Sequence, residues 1–162
     1  MADLTTVQKQ ALKAAILADS TMAAQVAAND FQSVADTLSA PAVPAFIVWK
    51  TSVSIPQVGD AINSAELGGL STLNSTRLQT IATFHPSGFN PSISNVRAFF
   101  DDIFSGAGGV NTRAALLALW KRSALLAEKI LKASGTGSDA SPATLGYEGG
   151  ITVFQIGPIL AS

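Results

Sequence analysis

The chain has 162 residues, of which 48% are hydrophobic and only 13% are charged, and its formal net charge is −1. A nearly neutral chain has no general attraction to nucleic acid or to an anionic membrane, and a sequence without cysteine excludes disulfides, thiolate catalysis and cysteine-ligated metals. Few charges beside many apolar residues favour an oligomer, in which part of the surface is interface, over a weakly charged monomer.

Three short helices are predicted in residues 1–40, which we expect to form an N-terminal helical subdomain. Thr5 and Gln8 have the spacing of a capping box. The expected helices are Thr6–Ala18, a short one after Asp19-Ser20 that ends at Asn29, and Phe31–Leu38 behind the cap Asp30. Acidic and amide residues interrupt the apolar positions of this segment, and no apolar run in the chain approaches about 18 residues, so neither a signal peptide nor a transmembrane helix is expected.

Residues 41–56 are predicted to be an extended connector. Prolines at 41, 44 and 56 oppose helix, and the β-branched and aromatic residues between them suit a strand. A short helix leading into a loop is the alternative. Trp49 is interpreted as a buried anchor rather than as a residue that stacks on a ligand.

Between residues 57 and 110 the pattern indicates short helices separated by loops. Glycines at 59, 68 and 69 restrict the first part to short helical turns. Clearer helices are expected at Thr76–Phe84 and Val96–Phe104, on either side of a loop rich in Pro, Gly, Asn and Ser.

The longest predicted helix is Asn111–Ala133, which contains neither Gly nor Pro and is taken as the centre of the fold. Its apolar residues cover most of the helix circumference, so other helices or neighbouring copies have to cover it from several sides. The core-facing stripe is expected to contain Leu116, Leu119, Trp120, Ser123, Ala127, Ile130 and Leu131. The predicted fold class is therefore mainly α, a small helical bundle around a long central helix, with residues 1–133 as the helical domain.

Residues 134–162 are predicted to be a flexible hinge followed by an extended C-terminal arm or β-hairpin. The tract SGTGSDASPAT has no apolar periodicity, and Gly149-Gly150 lies between two segments that suit the strands of a hairpin. An isolated hairpin is marginally stable, so it either packs on its own domain or adds to a neighbouring chain. The expected partner-interface residues are Tyr147, Ile151, Val153, Phe154 and Ile156.

Basic residues cluster along the predicted long helix and are the candidate contacts for DNA or a partner. They are Arg113, Lys121, Arg122, Lys129 and Lys132. These residues could contact phosphate groups. They could equally interact favourably with the C-terminal dipole of the helix and form a solvated face. Aromatic residues that would stack on bases are not interleaved with them.

No catalytic, cofactor-binding or metal-binding site is predicted, and the chain is not expected to be an enzyme. The single histidine, His85, precedes a proline in a loop, and no motif pairs it with the nucleophile and acid that a triad needs. Asp101 and Asp102 are adjacent, so on a helix their side chains point about 100° apart and cannot easily act as a general acid–base pair. No nucleotide-binding or metal-binding motif is present in the sequence.

A resemblance to small proteins from the structural gene clusters of tailed bacteriophages is carried by four segments, AFIVWKTSVSI, NPSISNVRAFFDDIFSGAGG, TRAALLALWKRSALLAEKIL and GTGSDASPATLGYEGGITV. The resemblance is to neck components, the adaptor or head-completion proteins between portal and tail. It implies a non-enzymatic virion protein, assembled in the host cytoplasm as a ring of identical subunits. It also implies that an extended arm contacts the portal or an adjacent subunit. The implied partners are portal and tail or neck proteins, with packaged DNA at the ring lumen and no membrane.

The alternative is a small soluble phage or bacterial binding module that contacts host protein or DNA through the basic residues of the long helix. Salt-dependent DNA binding that is lost when Lys121 and Arg122 become alanine would favour this alternative.

Overall fold

The computed structural model describes residues 3–162, and these residues fold mainly into α-helices, as the sequence predicts. They form two compact units. The terminal unit contains the residues up to Val48 together with Ser123–Ser162, and the central unit contains Trp49–Arg122. This division differs from the predicted one, because the C-terminal segment packs on the N-terminal helices instead of forming a separate arm.

The elements are short and follow one another closely. The α-helices are α1 (Thr6–Ala18), α2 (Ser20–Ala27), α3 (Phe31–Ser39), α4 (Ile55–Ala61), α5 (Ser64–Gly68), α6 (Thr72–Phe84), α7 (Ser94–Ile103), α8 (Val110–Leu119), α9 (Leu126–Ile130) and α10 (Val153–Leu160), with a 3₁₀ turn at Ala107–Gly109. The strands are β1 (Ile47–Trp49), β2 (Lys121–Ser123), β3 (Lys132–Ser134) and β4 (Thr144–Leu145). β1 pairs with β2, and β3 pairs antiparallel with β4.

The three N-terminal helices form where the sequence predicts them, because each has a local capping signal. Thr5 and Gln8 form both hydrogen bonds of the capping box. Asp19 and Asp30 each accept hydrogen bonds from backbone N–H groups in the first turn of the following helix. These caps pair N–H groups that a helix start otherwise leaves without a partner.

The core of the terminal unit lies where α1, α3 and α10 pack together. Its fully buried side chains include Leu12, Ile16, Val34, Leu38, Ile156 and Ile159. Ser162, which follows α10, is also held to α1, since Lys13 Nζ donates a hydrogen bond to its backbone oxygen at 2.7 Å. Burial of one leucine or isoleucine side chain contributes about 1.5–3 kcal/mol, so α10 is a structural part of this unit.

The core of the central unit is rich in aromatic side chains. Phe100 of α7 lies edge-on to Phe89 and to Trp120, with ring centroids 5.1 and 5.6 Å apart. Leu116 of α8 and Val58 of α4 are buried beside these rings. Edge-to-face packing is favourable for aromatic pairs, and it positions α7 and α8 relative to each other.

The prediction of one long helix over Asn111–Ala133 is wrong, since this segment contains nearly all of α8, then β2, α9 and part of β3. Helix α8 ends because the following backbone groups bond to a segment that is distant in sequence. The Trp120 carbonyl accepts a hydrogen bond from the Lys50 N–H, and the Ala124 N–H donates to the Phe46 carbonyl, both at 2.8 Å. This pairing overrides the local helix propensity.

The broken helix also explains why the predicted apolar stripe is so wide. Leu116 and Trp120 belong to the core of the central unit, whereas Ala127 and Leu131 belong to the core of the terminal unit. Ser123 is exposed between them. The apolar residues of this segment are therefore divided between two cores, and no single helix has to bury them all.

The predicted flexible hinge and β-hairpin of residues 134–162 are also wrong. Gly137 has a positive φ of 75°, its Cα lies against the ring of Phe46, and its carbonyl accepts a hydrogen bond from the first residue of β1 at 2.7 Å. The last segment is the helix α10 rather than a strand, because Thr152 and Gln155 form a capping box. The expected arm is thus an ordered part of the terminal unit.

Smaller differences concern where helices begin. The connector ends before Pro56, because Ser54 caps α4 at Ile55, and proline suits a first helical turn, where its missing N–H is not needed. Helix α6 begins earlier than predicted, at Thr72 behind the cap Ser71.

Candidate binding surfaces

Three of the five predicted interface residues are buried, so the prediction that all five lie at a partner interface is wrong. Tyr147, Ile151 and Ile156 lie in the core of the terminal unit. Val153 is half-buried, and Phe154 is exposed. Among the three of these residues that lie on α10, the amphipathic helix explains the difference, because its apolar residues point inward only at helical spacing.

The predicted basic residues do not form one strip. Arg113 is on α8 and Lys121 and Arg122 are on β2, all in the central unit, whereas Lys129 on α9 and Lys132 on β3 are in the terminal unit. A row of phosphate contacts along a single helix face therefore has no structural basis. Arg113 instead lines a cleft of the central unit.

This cleft, which we call the arginine–tryptophan cleft, has a volume of about 340 Å³. It is lined by Trp49, Arg97, Asp101, Arg113, Ala114, Leu117 and Trp120. Arg97 and Asp101 share one face of α7 at a spacing of four residues, and Arg113 and Leu117 share one face of α8 in the same way. Arg113 was predicted as a contact residue from the sequence but Arg97 was not, although the spacing from Arg97 to Asp101 is visible in the sequence.

Arg97 is held against Trp49. Its Cζ lies 4.0 Å from the centroid of the Trp49 ring, a cation–π contact, and its Nη1 donates a hydrogen bond to the Pro91 carbonyl. Desolvation by burial lowers the pKa of Arg97, and the nearby Asp101 carboxylate opposes this effect. An arginine stays protonated in a protein, so the cleft keeps this positive charge. Trp49, expected to be a buried anchor, is half-buried on the cleft wall.

Arg113 is held by the end of α7. Its Nη1 donates hydrogen bonds to the carbonyl oxygens of Phe104 and, at 2.9 Å, of Gly106. The last carbonyl groups of a helix lack partners within the helix, and Arg113 supplies one here. The result is that both guanidinium groups are fixed on the same cleft.

Glu66 fixes the start of α8, the helix that carries Arg113. Its carboxylate accepts hydrogen bonds from the backbone N–H groups of Asn111 at 2.9 Å and Thr112 at 2.7 Å. The Thr112 side chain, and then the backbone N–H groups of Thr112 and Asn111, lower the pKa of the Glu66 carboxyl against the opposing effect of desolvation. A negative charge at a helix N-terminus is favourable, so Glu66 positions one wall of the cleft.

We expect Glu66→Gln to lower the stability of the central unit at neutral pH and to flatten its loss of stability in acid. The folded-state pKa of Glu66 lies below the unfolded value, so the carboxylate stabilises the fold above the unfolded pKa, and this contribution is lost as the pH falls through the folded pKa. Denaturation between about pH 7 and about pH 3 can be followed by tryptophan fluorescence, because both tryptophans are in the central unit. Asp60→Asn, which removes an exposed carboxylate from the same unit, is the control. Identical pH profiles for Glu66→Gln and the unchanged chain would contradict the role of Glu66.

A second concave site lies beside α6 and α7 and is almost entirely apolar. This pocket has a volume of about 210 Å³ and is lined by Ile81, His85, Phe89, Asn95, Val96, Phe99 and Phe100. The His85 ring lies 5.6 Å from that of Phe89. Histidine and asparagine are the two polar groups of the pocket wall, so the site suits an apolar group better than a charged one.

Helix α6, which contributes Ile81 to this pocket, also carries exposed apolar side chains. None of its residues is buried. Leu73 and Phe84, near its two ends, are 68% and 76% exposed, and they recur with Ile81 at helical spacing on one side of the helix. We call this side of α6, together with the pocket, the α6–α7 surface.

The adjacent carboxylates point to different sites, as expected for neighbours on a helix. Asp101 lines the arginine–tryptophan cleft, whereas Asp102 forms an ion pair with Arg77 of α6 at 2.7 Å. Within residues 3–162 no three His, Asp or Glu side chains are grouped so that they could hold a metal ion. None of the helices in the same residues combines the length and apolar character that crossing a bilayer requires.

Comparison of the chain with protein-family models, with curated proteins and with solved structures gives no significant match.

Proposed function

We propose that the chain is a non-enzymatic structural protein of a bacteriophage virion, a subunit that forms a ring between portal and tail. The observation that carries this proposal is the uncovered α6–α7 surface of the central unit. The resemblance to neck components, which spans most of the chain, supports the same role. The ring would be assembled in the host cytoplasm and would contact portal and tail proteins, with packaged DNA in its lumen.

The occupant of the α6–α7 surface is proposed to be a second copy of the chain. The central unit has six basic and four acidic residues, whereas the terminal unit has four basic and seven acidic residues. Units of opposite net charge favour a head-to-tail contact between copies over contact of like units. A head-to-tail contact gives a ring when its rotation closes, and a ring is the assembly that the resemblance to neck components implies.

We expect the double variant Leu73→Ser, Phe84→Ser to fold but to fail to assemble. Both side chains are largely exposed in the single chain, so their loss should change the free energy of unfolding by no more than about 0.5 kcal/mol. Far-UV circular dichroism checks the fold. Quantitative mass spectrometry of purified particles, and native mass of the ring, check assembly.

Gln79→Ser, an exposed polar position on the same helix, is the matched control and should assemble normally. Particles that contain the double variant at the same level as the unchanged chain would refute the role of the α6–α7 surface. A chain that is not found in purified particles at all would refute the virion assignment.

A further inference from the structure

We propose that the arginine–tryptophan cleft binds a single carboxylate side chain, presented by an acidic peptide segment of a partner protein. This inference goes beyond the proposed function, which uses the α6–α7 surface and assigns nothing to the cleft. It rests on the hydrogen-bond donors, the charges and the apolar wall of the cleft.

The two arginines supply the cleft with hydrogen-bond donors. A guanidinium group has five N–H bonds. The hydrogen bonds that Arg97 and Arg113 make among the described residues all start from Nη1. The Nε and Nη2 groups of both arginines are therefore left for an acceptor from outside. Their forked geometry matches the two oxygens of a carboxylate.

Both guanidinium groups are already held in place in the free chain. Arg97 lies over the Trp49 ring, and Arg113 is tied to two backbone carbonyl groups at the end of α7. A mobile arginine side chain loses conformational entropy when it binds a ligand. This entropy cost is smaller when other contacts already hold the side chain. Both arginines are thus prepared for binding in the free chain.

The net charge of the cleft favours a ligand with a single negative charge. Two guanidinium groups and one carboxylate, that of Asp101, leave the cleft with one excess positive charge, which matches one carboxylate. A nucleic acid presents a row of phosphate charges and binds through many basic contacts along its backbone. A cleft that contains an acidic residue suits a single anion better than such a row.

Part of the cleft wall is apolar. Ala114 and Leu117 of α8 line the same cleft as the arginines, together with Trp49 and Trp120. They can pack against an aliphatic residue next to the carboxylate in a peptide, whereas a free inorganic anion would leave them uncovered. The preferred ligand is therefore an acidic residue with apolar neighbours.

The cleft can be tested with the full chain, because its two tryptophans, Trp49 and Trp120, both line it. The probe is a blocked pentapeptide with one glutamate between two leucines. Tryptophan fluorescence and the two indole N–H signals in NMR are measured at constant ionic strength. We expect a saturable change, and binding that is weaker by about tenfold or more when the glutamate is replaced by glutamine.

Variants distinguish peptide binding in the cleft from a general attraction between charges. Leu117 is 42% exposed, so Leu117→Asp should fold and should abolish binding by placing a carboxylate in the cleft, while Leu117→Asn should weaken it less. Arg77→Gln removes an arginine outside the cleft, the partner of Asp102, and should leave peptide binding unchanged.

Three outcomes would overturn the proposal: no saturable change with the glutamate peptide, equal binding of the glutamine peptide, or a response to short duplex DNA but not to the peptide. The titration uses the free chain and needs no ring. Failure of peptide binding and failure of particle assembly are therefore distinguishable.

Discussion

Truncation of Ile156 to alanine is expected to lower the free energy of unfolding of the terminal unit by about 2–5 kcal/mol. Ile156 is 0% exposed on the inner face of α10, and its removal would leave a cavity against the N-terminal helices. Phe154, on the same helix, is 88% exposed, so Phe154→Ala should change the free energy by no more than about 0.5 kcal/mol. The larger side chain thus gives the smaller effect.

Urea denaturation followed by far-UV circular dichroism measures this difference. Tryptophan fluorescence reports the central unit separately, because both tryptophans lie in it. If Phe154→Ala were the costly change and Ile156→Ala the neutral one, α10 would not pack on α1 and α3 as described, and an extended arm would again be the better description.

Replacement of Gly109 by alanine is expected to destabilise the central unit by about 3 kcal/mol. Gly109 is buried just before α8, and a Cβ atom there would overlap the backbone carbonyl group of Phe104. A backbone group cannot move aside as the end of a flexible side chain can. The Phe104 carbonyl also accepts a hydrogen bond from Arg113, so relief of the overlap would disturb one wall of the arginine–tryptophan cleft.

The neighbouring glycine provides the matched control. A Cβ atom at Gly108 would meet no atom within 4 Å, so Gly108→Ala should change the free energy of unfolding by no more than about 0.5 kcal/mol. Denaturation followed by tryptophan fluorescence measures both variants. Equal stability of the two alanine variants would show that α8 does not start against the end of α7 in the way described.

The parts of the fold that could be predicted are those whose signals are local. The caps Thr5, Asp19 and Asp30 act within three residues, so the first three helices are visible in the sequence. The break after α8 is not visible, because it depends on hydrogen bonds from residues around Phe46 and Lys50. A helix prediction for that segment follows its propensity correctly, but pairing with a distant strand prevails.

The same limit applies to the binding surfaces. Arg113 could be singled out by its charge, but the cleft also needs Trp49 and Arg97, which only the tertiary fold brings beside it. Phe154 and Ile156 look equally apolar in the sequence, and their different exposure follows from the helical rather than extended geometry of α10. A helix start signal at Thr152 was available in the sequence and would have distinguished the two geometries.

The discontinuity of the terminal unit has a consequence for its synthesis. The ribosome completes the central unit at Arg122, before it makes α10 at residues 153–160. Until α10 emerges, the apolar faces of α1 and α3 lack one of the helices that cover them. Helices α1 and α3 are therefore translated before the central unit but reach their final packing after it is complete, and the nascent chain carries exposed hydrophobic surface during that interval.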